Sequence, residues 1–190
     1  AALIMNPKVW EASGHVSNFT DPLIECKKCH QRFRQDQPET HTQECEGDFT
    51  ASRMFNLMFK TSIGALEDAS GVAYLRPETA QAMFVDFKNV VDSSRKRIPF
   101  GIAQIGKAFR NEITPGNYIF RTREFEQMEI EYFIRENEWE TQFEYWLNQM
   151  KDWMTFLGLS EKHIHYRDIP KEERAHYSKK TIDIDFEFPF

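Results

Sequence analysis

Residues 98–133 alternate apolar and polar positions in a way that predicts two β-strands joined by a polar loop. The first arm, residues 98–110, is mostly apolar with small residues between, and the second arm, residues 122–133, is dense in Phe, Ile and Tyr. The centre, residues 111–121, contains Pro, Gly and Asn, which are turn formers. Side chains on a strand alternate between its two faces. One face of this predicted hairpin therefore carries Gln104, Gly106, Ala108, Arg110 and Glu112 with Arg123, Phe125, Gln127 and Glu129.

This face is unusual for a plain hydrophobic core, because it combines a cation, an aromatic ring and carboxylates over small residues. Arg110 can hold a phosphate through a bidentate fork, and Phe125 can stack on a purine ring. Gly106 and Ala108 predict room for a flat ligand, and Glu129 is a candidate for binding an ammonium group. A charged, solvated hairpin without a ligand is the alternative that the pattern alone leaves open.

Two segments show the spacing of an amphipathic helix. The residues at 76–79, Arg-Pro-Glu-Thr, predict a helix start, because Pro and an acidic residue are favoured in the first turn. This helix is expected to run to about Val91, with the apolar stripe Ala80, Met83, Phe84, Phe87 and Val91. Residues 136–158 predict the clearest helix, ending at Gly158 as a C-cap, and its apolar stripe is assigned to the core against a sheet.

Two further strands are predicted. Residues 72–75 form a short one, and residues 182–188 alternate so that one face is apolar and the other acidic. The apolar face of the second strand is expected to be buried. It consists of Ile182, Ile184, Phe186 and Phe188. Near the N-terminus, a Gly turn at residues 13–15 ends in His15, which we interpret as a hydrogen-bonded structural histidine.

Composition adds limits to this picture. The chain has 190 residues, of which 41% are hydrophobic and 14% aromatic, enough for one solid core. No apolar run approaches the length of a membrane span, and the N-terminus lacks the pattern of a signal peptide. We therefore expect no membrane partner and a reducing, cytoplasmic setting. The net charge of −6 argues against a dedicated nucleic-acid module and leaves only local basic patches for such contacts.

Three cysteines lie in a polar, loop-rich segment. Cys26 and Cys29 form a CxxC, the usual knuckle for zinc, and Cys45 is a candidate third ligand. A fourth cysteine is missing, and His30 and His41 are the nearby substitutes. Three free thiols on a loop remain the alternative.

Five stretches of this chain resemble one family, the class II aminoacyl-tRNA synthetases, and in detail the dimeric type specific for glycine. The longest, FRNEITPG followed by FRTREFEQMEIE, resembles motif 2 of that family. WEASGHVSNFTDPL resembles the end of its motif 1 region. The others are MFNLMFKT, YLRPETAQ and HYSKKTIDIDFEFPF.

The resemblance implies an α+β fold, with an antiparallel sheet flanked by helices and a small Cys-containing insertion. It divides the chain into a motif 1-like segment at 1–24, a candidate zinc-binding insertion at 25–49, and a catalytic core with motif 2 at 50–190. We find no motif 3 and no anticodon-binding domain before Phe190, and so expect a fragment of a longer enzyme.

The function that the resemblance implies is ATP-dependent activation of glycine to glycyl-adenylate, with Mg²⁺, and transfer to tRNA(Gly) by a homodimeric ligase. Arg110 and Glu112 are then the predicted catalytic residues. Arg110 would contact the α-phosphate and carboxylate, and Glu112 would hold the adenine amino group or order Arg110. Phe125 would stack on adenine, and Arg121 would reach the outer phosphates or the tRNA end.

For the amino acid, the resemblance assigns Glu78 and Glu129 to the ammonium group of glycine, with Arg76 ordering the site. Two carboxylates that crowd the Cα atom would also leave no room for the methyl group of alanine. Two other interpretations stay open. One is a non-catalytic, synthetase-like nucleic-acid-binding or regulatory subunit, and the other is a zinc-ribbon module, which explains only residues 25–49.

Overall fold

The computed structural model describes residues 2–36, 45, 47–65, 71–116, 118–175 and 177–189. The chain forms two compact units, Ala1–Phe133 and Ile134–Phe190. Mixed helices and antiparallel sheets confirm the predicted α+β class. The three-part division of the chain stays a prediction.

The first unit is built from short antiparallel sheets and three helices within its described residues. Its elements are β1 (Ile4–Met5), α1 (Pro7–Ala12), α2 (His15–Asn18), β2 (Thr20–Glu25), β3 (Arg32–Arg34), β4 (Arg53–Asn56), β5 (Lys60–Ser62), β6 (Val72–Leu75), α3 (Ala80–Ser94), β7 (Phe100–Phe109) and β8 (Glu124–Phe133). The strand orders are β1-β6-β5, β3-β2-β4 and β7-β8.

The turn between α1 and α2 depends on a glycine. Gly14 has φ = +79°, a left-handed conformation that costs glycine little. A Cβ atom at this position would also lie 3.3 Å from Asn18 Nδ2. The turn folds α2 back beside α1, where Trp10 is completely buried. This local geometry places His15 inside the unit.

The predicted hairpin is confirmed, since β7 and β8 pair over their full lengths. The register sets Gln104 opposite Glu129 and Ala108 opposite Phe125, so these side chains share one face as expected. The other face is largely exposed and includes Ile105, whose exposed fraction is 74%. The hairpin therefore has an inner face that carries the candidate site residues and an outer face on which apolar residues such as Ile105 and Met128 lie beside the Lys107–Glu124 ion pair.

Helix α3 begins two residues later than the Glu78 that the sequence predicts as its start, with buried Thr79 as the N-cap residue. The apolar stripe is only partly buried. Ala80 and Met83 are covered, whereas Phe84 is 52% exposed and touches the ring of Phe133 edge-on at 6.1 Å. Phe84 lies at the edge of the contact between the helix and the hairpin, so its ring has one packed side.

The second unit contains one long helix and a two-stranded sheet among its described residues. Its elements are a 3₁₀ turn (Glu136–Glu138), α4 (Trp139–Phe156), a second 3₁₀ turn (Glu161–His163), β9 (Ile164–Asp168) and β10 (Ile182–Phe186). The predicted helix is confirmed, and Gly158 just after it has the positive φ (+79°) expected of a cap.

The prediction that the α4 stripe is core is wrong in part. Met154 is the buried residue of the helix, while Trp153 and Leu157 are 42% and 50% exposed. The predicted C-terminal strand also ends at Phe186, and Phe188 is exposed instead of buried. A sheet of two short strands is too small to cover both stripes. In the described part of the chain, no helix has the length and apolar character needed to cross a bilayer.

Candidate active site

A buried arginine supports the inner face of the hairpin. Arg76 is 2% exposed, and its Nε donates to the Lys107 carbonyl at 2.7 Å while Nη1 donates to Gln104 Oε1 at 2.8 Å. A Cβ atom on Gly106 would overlap Nη2 of this guanidinium. The space predicted for a flat ligand above Gly106 and Ala108 is therefore wrong, because Arg76 fills it and Ala108 is fully buried.

Hydrogen bonds continue from this arginine towards a group of carboxylates. Gln104 Nε2 donates to the Thr79 carbonyl at 3.0 Å, and the Thr79 hydroxyl donates to the Glu129 carboxylate. Glu131 follows on the same face of β8, where its pKa is raised to about 7, chiefly by burial and further by the charges of Glu129 and Glu78. The structure thus brings both predicted glycine ligands, Glu78 and Glu129, into one electrostatic cluster.

Glu78 has its own partners. Oε1 accepts a hydrogen bond from Gln81 Nε2 at 2.6 Å and lies 3.4 Å from His15 Nε2. The hydrogen bond with His15 is the largest influence on the pKa of Glu78 and lowers it; burial acts in the opposite direction, and the charge of Arg110 also lowers it. His15 is structural in its packing, as predicted, but its contact with Glu78 has no signal in the sequence, since the two residues are far apart along the chain.

Arg110 lies between two aromatic rings. Its guanidinium carbon is 5.4 Å from the centroid of Phe19 and 5.2 Å from that of Phe125, both within cation–π range. Nε donates to the Pro77 carbonyl at 3.1 Å, next to Glu78. Arg110, the residue predicted to bind a phosphate, is therefore held at the border between the carboxylate cluster and the adjoining cavity.

That cavity has a volume of about 580 Å³, within the usual size range of small-molecule sites. It brings together all four residues predicted for ATP. Its lining consists of Phe19, Asp21, Arg34, Leu57, Arg110, Glu112, Ile119, Phe120, Arg121, Thr122, Phe125 and Glu126. Three lining residues, Phe19, Asp21 and Arg34, come from the N-terminal segment and are missed by the sequence analysis, because the hairpin pattern carries no signal for them.

The loop of the hairpin is fixed by Arg123, whose Nε and Nη2 donate to the Glu112 carbonyl at 3.2 and 3.0 Å. This contact holds the backbone of Glu112 at the cavity wall. Arg123 shares the predicted inner face but acts on the loop, which leaves Arg110 and Arg121 as the cations that line the cavity from the hairpin.

The three cysteines form a separate cluster. Their Sγ atoms all lie within 4.8 Å of one another, and those of Cys26 and Cys45 are 3.9 Å apart. Zn–S bonds of about 2.3 Å in a tetrahedron require sulfur atoms about 3.8 Å apart, so this spacing fits zinc. The backbone N–H of Lys28 donates to Cys26 Sγ at 3.4 Å, a contact that suits a thiolate ligand.

The cluster has three candidate zinc ligands among the described residues. His30, one candidate for a fourth, instead places Nδ1 3.3 Å from Glu25 Oε1. His41, the other candidate, lies outside the described residues.

Comparison with known proteins decides the family. Residues 39–189 match the tRNA synthetase class II core domain (G, H, P, S and T). The chain belongs to this class II synthetase family. The sequence resemblance is therefore confirmed, and the α+β architecture described above is that of a class II synthetase core domain.

Curated relatives of this class II synthetase domain are named glycine–tRNA ligase. The protein of Alkaliphilus oremlandii is 50% identical over 220 residues, covering 100% of this chain and 48% of the relative. The protein of Geobacillus thermodenitrificans is 49% identical with 47% of its length covered, and that of Treponema denticola is 52% identical over 198 residues with 43% covered. The chain thus spans about half the length of the curated relatives it matches.

Proposed function

We propose that this class II synthetase domain activates glycine with ATP and serves transfer of the glycyl group to tRNA(Gly). The observation that carries the proposal is the position of Arg110, which borders both the Glu78–Glu129 carboxylate cluster and the 580 Å³ cavity. A site that joins an amino acid to a nucleotide needs such a cation between the two substrates. The names of the relatives support glycine as the amino acid.

Activation joins the carboxylate of glycine to the α-phosphorus of ATP, and the bond from that phosphorus to the pyrophosphate oxygen breaks. Negative charge grows on the phosphate oxygens during this step. In the proposal, Arg110 stabilises that charge from a position already fixed by two rings and the Pro77 carbonyl, so little reorganisation is needed. Arg121 is the second cavity cation and is assigned to the outer phosphates or the tRNA end.

The base of ATP is assigned to the part of the cavity lined by Phe125 and Glu112. Phe125 offers a ring face for stacking, and Glu112 offers an acceptor for the exocyclic amino group. Magnesium would arrive on the ATP phosphates, where it neutralises charge, and Mg²⁺ is commonly held by one or two carboxylates besides the phosphates. Glu126, one of the residues that line the cavity, is the candidate for that role.

Selection of glycine is assigned to Glu78 and Glu129. The two carboxylates attract an ammonium group, and Glu129 is anchored by the hydroxyl of buried Thr79. An anchored carboxylate cannot move aside for a methyl group on the Cα atom, so alanine would be excluded by sterics. Arg76 supports the arrangement through Gln104, which accepts from Arg76 and donates to the Thr79 carbonyl.

Three further features belong to the proposal. Zinc is held by Cys26, Cys29 and Cys45. The protein acts as a homodimer through its motif 1-like segment. It works in the cytoplasm, where protein synthesis takes place.

Glycine-dependent exchange of labelled pyrophosphate into ATP tests the proposal, with alanine and serine as competing amino acids. The full-length A. oremlandii relative is the positive control. Exchange with glycine and none with alanine is the expected result. If glycine produces no pyrophosphate exchange above background while this chain still binds tRNA, the non-catalytic, synthetase-like binding subunit is favoured.

A further inference from the structure

His15 is enclosed by aromatic residues and contacts the candidate glycine ligand. Its side chain is 13% exposed, with the ring of Trp10 edge-on at 5.6 Å and that of Phe19 tilted at 5.3 Å. Nδ1 lies 2.9 Å from Ser13 Oγ, and Nε2 lies 3.4 Å from Glu78 Oε1. Both ring nitrogens therefore have partners, and the ring has little freedom to turn.

The hydrogen-bond network favours one tautomer. A neutral imidazole has one donor and one acceptor nitrogen, and the Glu78 carboxylate is an acceptor only. Nε2 must then carry the proton that faces Glu78, while Nδ1 pairs with Ser13 Oγ, whose hydroxyl also lies within hydrogen-bond distance of the Trp10 carbonyl. This assignment follows from the partners of the ring, and it makes His15 a hydrogen-bond donor to the carboxylate.

The contacts of Glu78 are also one-sided. His15 and Gln81 both engage Oε1, whereas Oε2 takes no hydrogen bond from the described residues. A carboxylate held at one oxygen presents the other in a fixed direction. Oε2 is thus the oxygen available to an ammonium group.

We infer that His15 is a positioning residue for the amino-acid substrate, because it holds Glu78 Oε1 so that Oε2 faces the ammonium group. This inference rests on the proposed function for the identity of the substrate. It adds a residue from the N-terminal segment to the amino-acid part of the site, whose other assigned residues lie on the hairpin and just before α3.

Electrostatics support this geometry. The hydrogen bond with His15 lowers the pKa of Glu78, so loss of His15 should raise that pKa and remove the negative charge at a higher pH. Arg110 also favours the ionised form of Glu78. Glu131, whose own pKa is raised by burial and by the charges of Glu129 and Glu78, is a further charged group that acts within this cluster.

Two variants separate positioning from packing. His15→Phe keeps an aromatic ring between Trp10 and Phe19 but removes both hydrogen bonds, and His15→Gln keeps a donor for Glu78. His163→Phe is the matched control, since His163 is an exposed histidine in the second unit, with its side chain 53% exposed.

The first measurement is a ¹³C NMR titration of the Glu78 carboxyl carbon without substrates. We expect a higher pKa for Glu78 in His15→Phe, an intermediate value in His15→Gln, and the wild-type value in the control. An unchanged titration in His15→Phe would overturn the inference. This test does not depend on any enzymatic activity.

The second measurement is glycine-dependent pyrophosphate exchange. We expect His15→Phe to raise KM for glycine about tenfold and to leave KM for ATP unchanged, with partial rescue in His15→Gln. The acid limb of the pH profile should move to higher pH. Equal changes in both KM values, or no rescue, would show a purely structural role. If the wild-type chain shows no glycine-dependent exchange, the proposed function fails, while the NMR titration still decides whether His15 controls Glu78.

Discussion

Substitution of Gly106 by alanine should destabilise the hairpin, because the new methyl group would overlap the guanidinium of Arg76. Arg76 cannot swing into solvent, since it is 2% exposed and bonded to Gln104 and the Lys107 carbonyl. Overpacking of this kind costs about 1–3 kcal/mol, and each hydrogen bond to a charged group contributes about 1.5–3 kcal/mol. Because these two bonds are partly lost and strain is added, we expect the free energy of unfolding to fall by about 2–4 kcal/mol.

Gly101→Ala is the matched control, since Gly101 lies on the same strand but on the exposed face. Its new methyl group would lie 3.2 Å from the edge of the Tyr132 ring, which can move. We expect the free energy of unfolding of this variant to stay within about 0.5 kcal/mol of the wild-type value. Native-state hydrogen exchange of the β7 and β8 amides measures both effects locally. Equal opening free energies in the two variants would refute the account of Arg76 as a buried support.

Three further predictions follow from the site. Arg110→Lys should lower kcat/KM for glycine-dependent exchange about 100-fold, because a lysine cannot replace a planar fork held between two rings; a loss below about threefold would contradict this role. Glu131→Gln should stabilise the fold increasingly from pH 4.5 to about 7, where burial raises the pKa of Glu131, and by a constant amount above that. Over this range the wild-type carboxyl ionises in the unfolded chain but stays largely protonated in the folded one, which lowers the stability of the wild type by about 1–2 kcal/mol after solvent screening; urea titrations that show the same difference at about pH 4 and pH 8 would disprove it. Cys26→Ser should reduce bound zinc from one ion per chain to none by elemental analysis, and equal zinc in variant and wild type would exclude the cysteine cluster as the site.

The hairpin can be predicted from the sequence because its faces follow from a local rule. Alternation along β7 and β8 determines which side chains share a face, and pairing within a hairpin needs no distant partner. The pattern of residues therefore suffices to place Arg110 and Phe125 together. The Pro and the acidic residue that precede α3 likewise predict its start to within two residues.

The residues that hold the site in place, Arg76 and His15, cannot be predicted in this way. Nothing in the spacing of Arg76 and Gly106 says that a guanidinium fills the space over the glycine. The pairing of His15 with Glu78 likewise depends on the tertiary fold that brings two residues distant in sequence within 3.4 Å, which no periodicity encodes. The sequence overestimates burial for α4, since helical spacing identifies an apolar stripe but does not say how much of it the neighbouring elements cover.

Residues 15–19 have a consequence for anyone who wishes to alter the amino acid accepted by this domain. His15 reaches the carboxylate cluster, while Phe19, four positions later, packs on Arg110 and lines the cavity. A substitution that shifts this short segment would disturb recognition of both substrates at once. Redesign of specificity should therefore leave residues 15–19 untouched and work from β8, where Glu129 and Glu131 can be changed without moving a wall of the cavity.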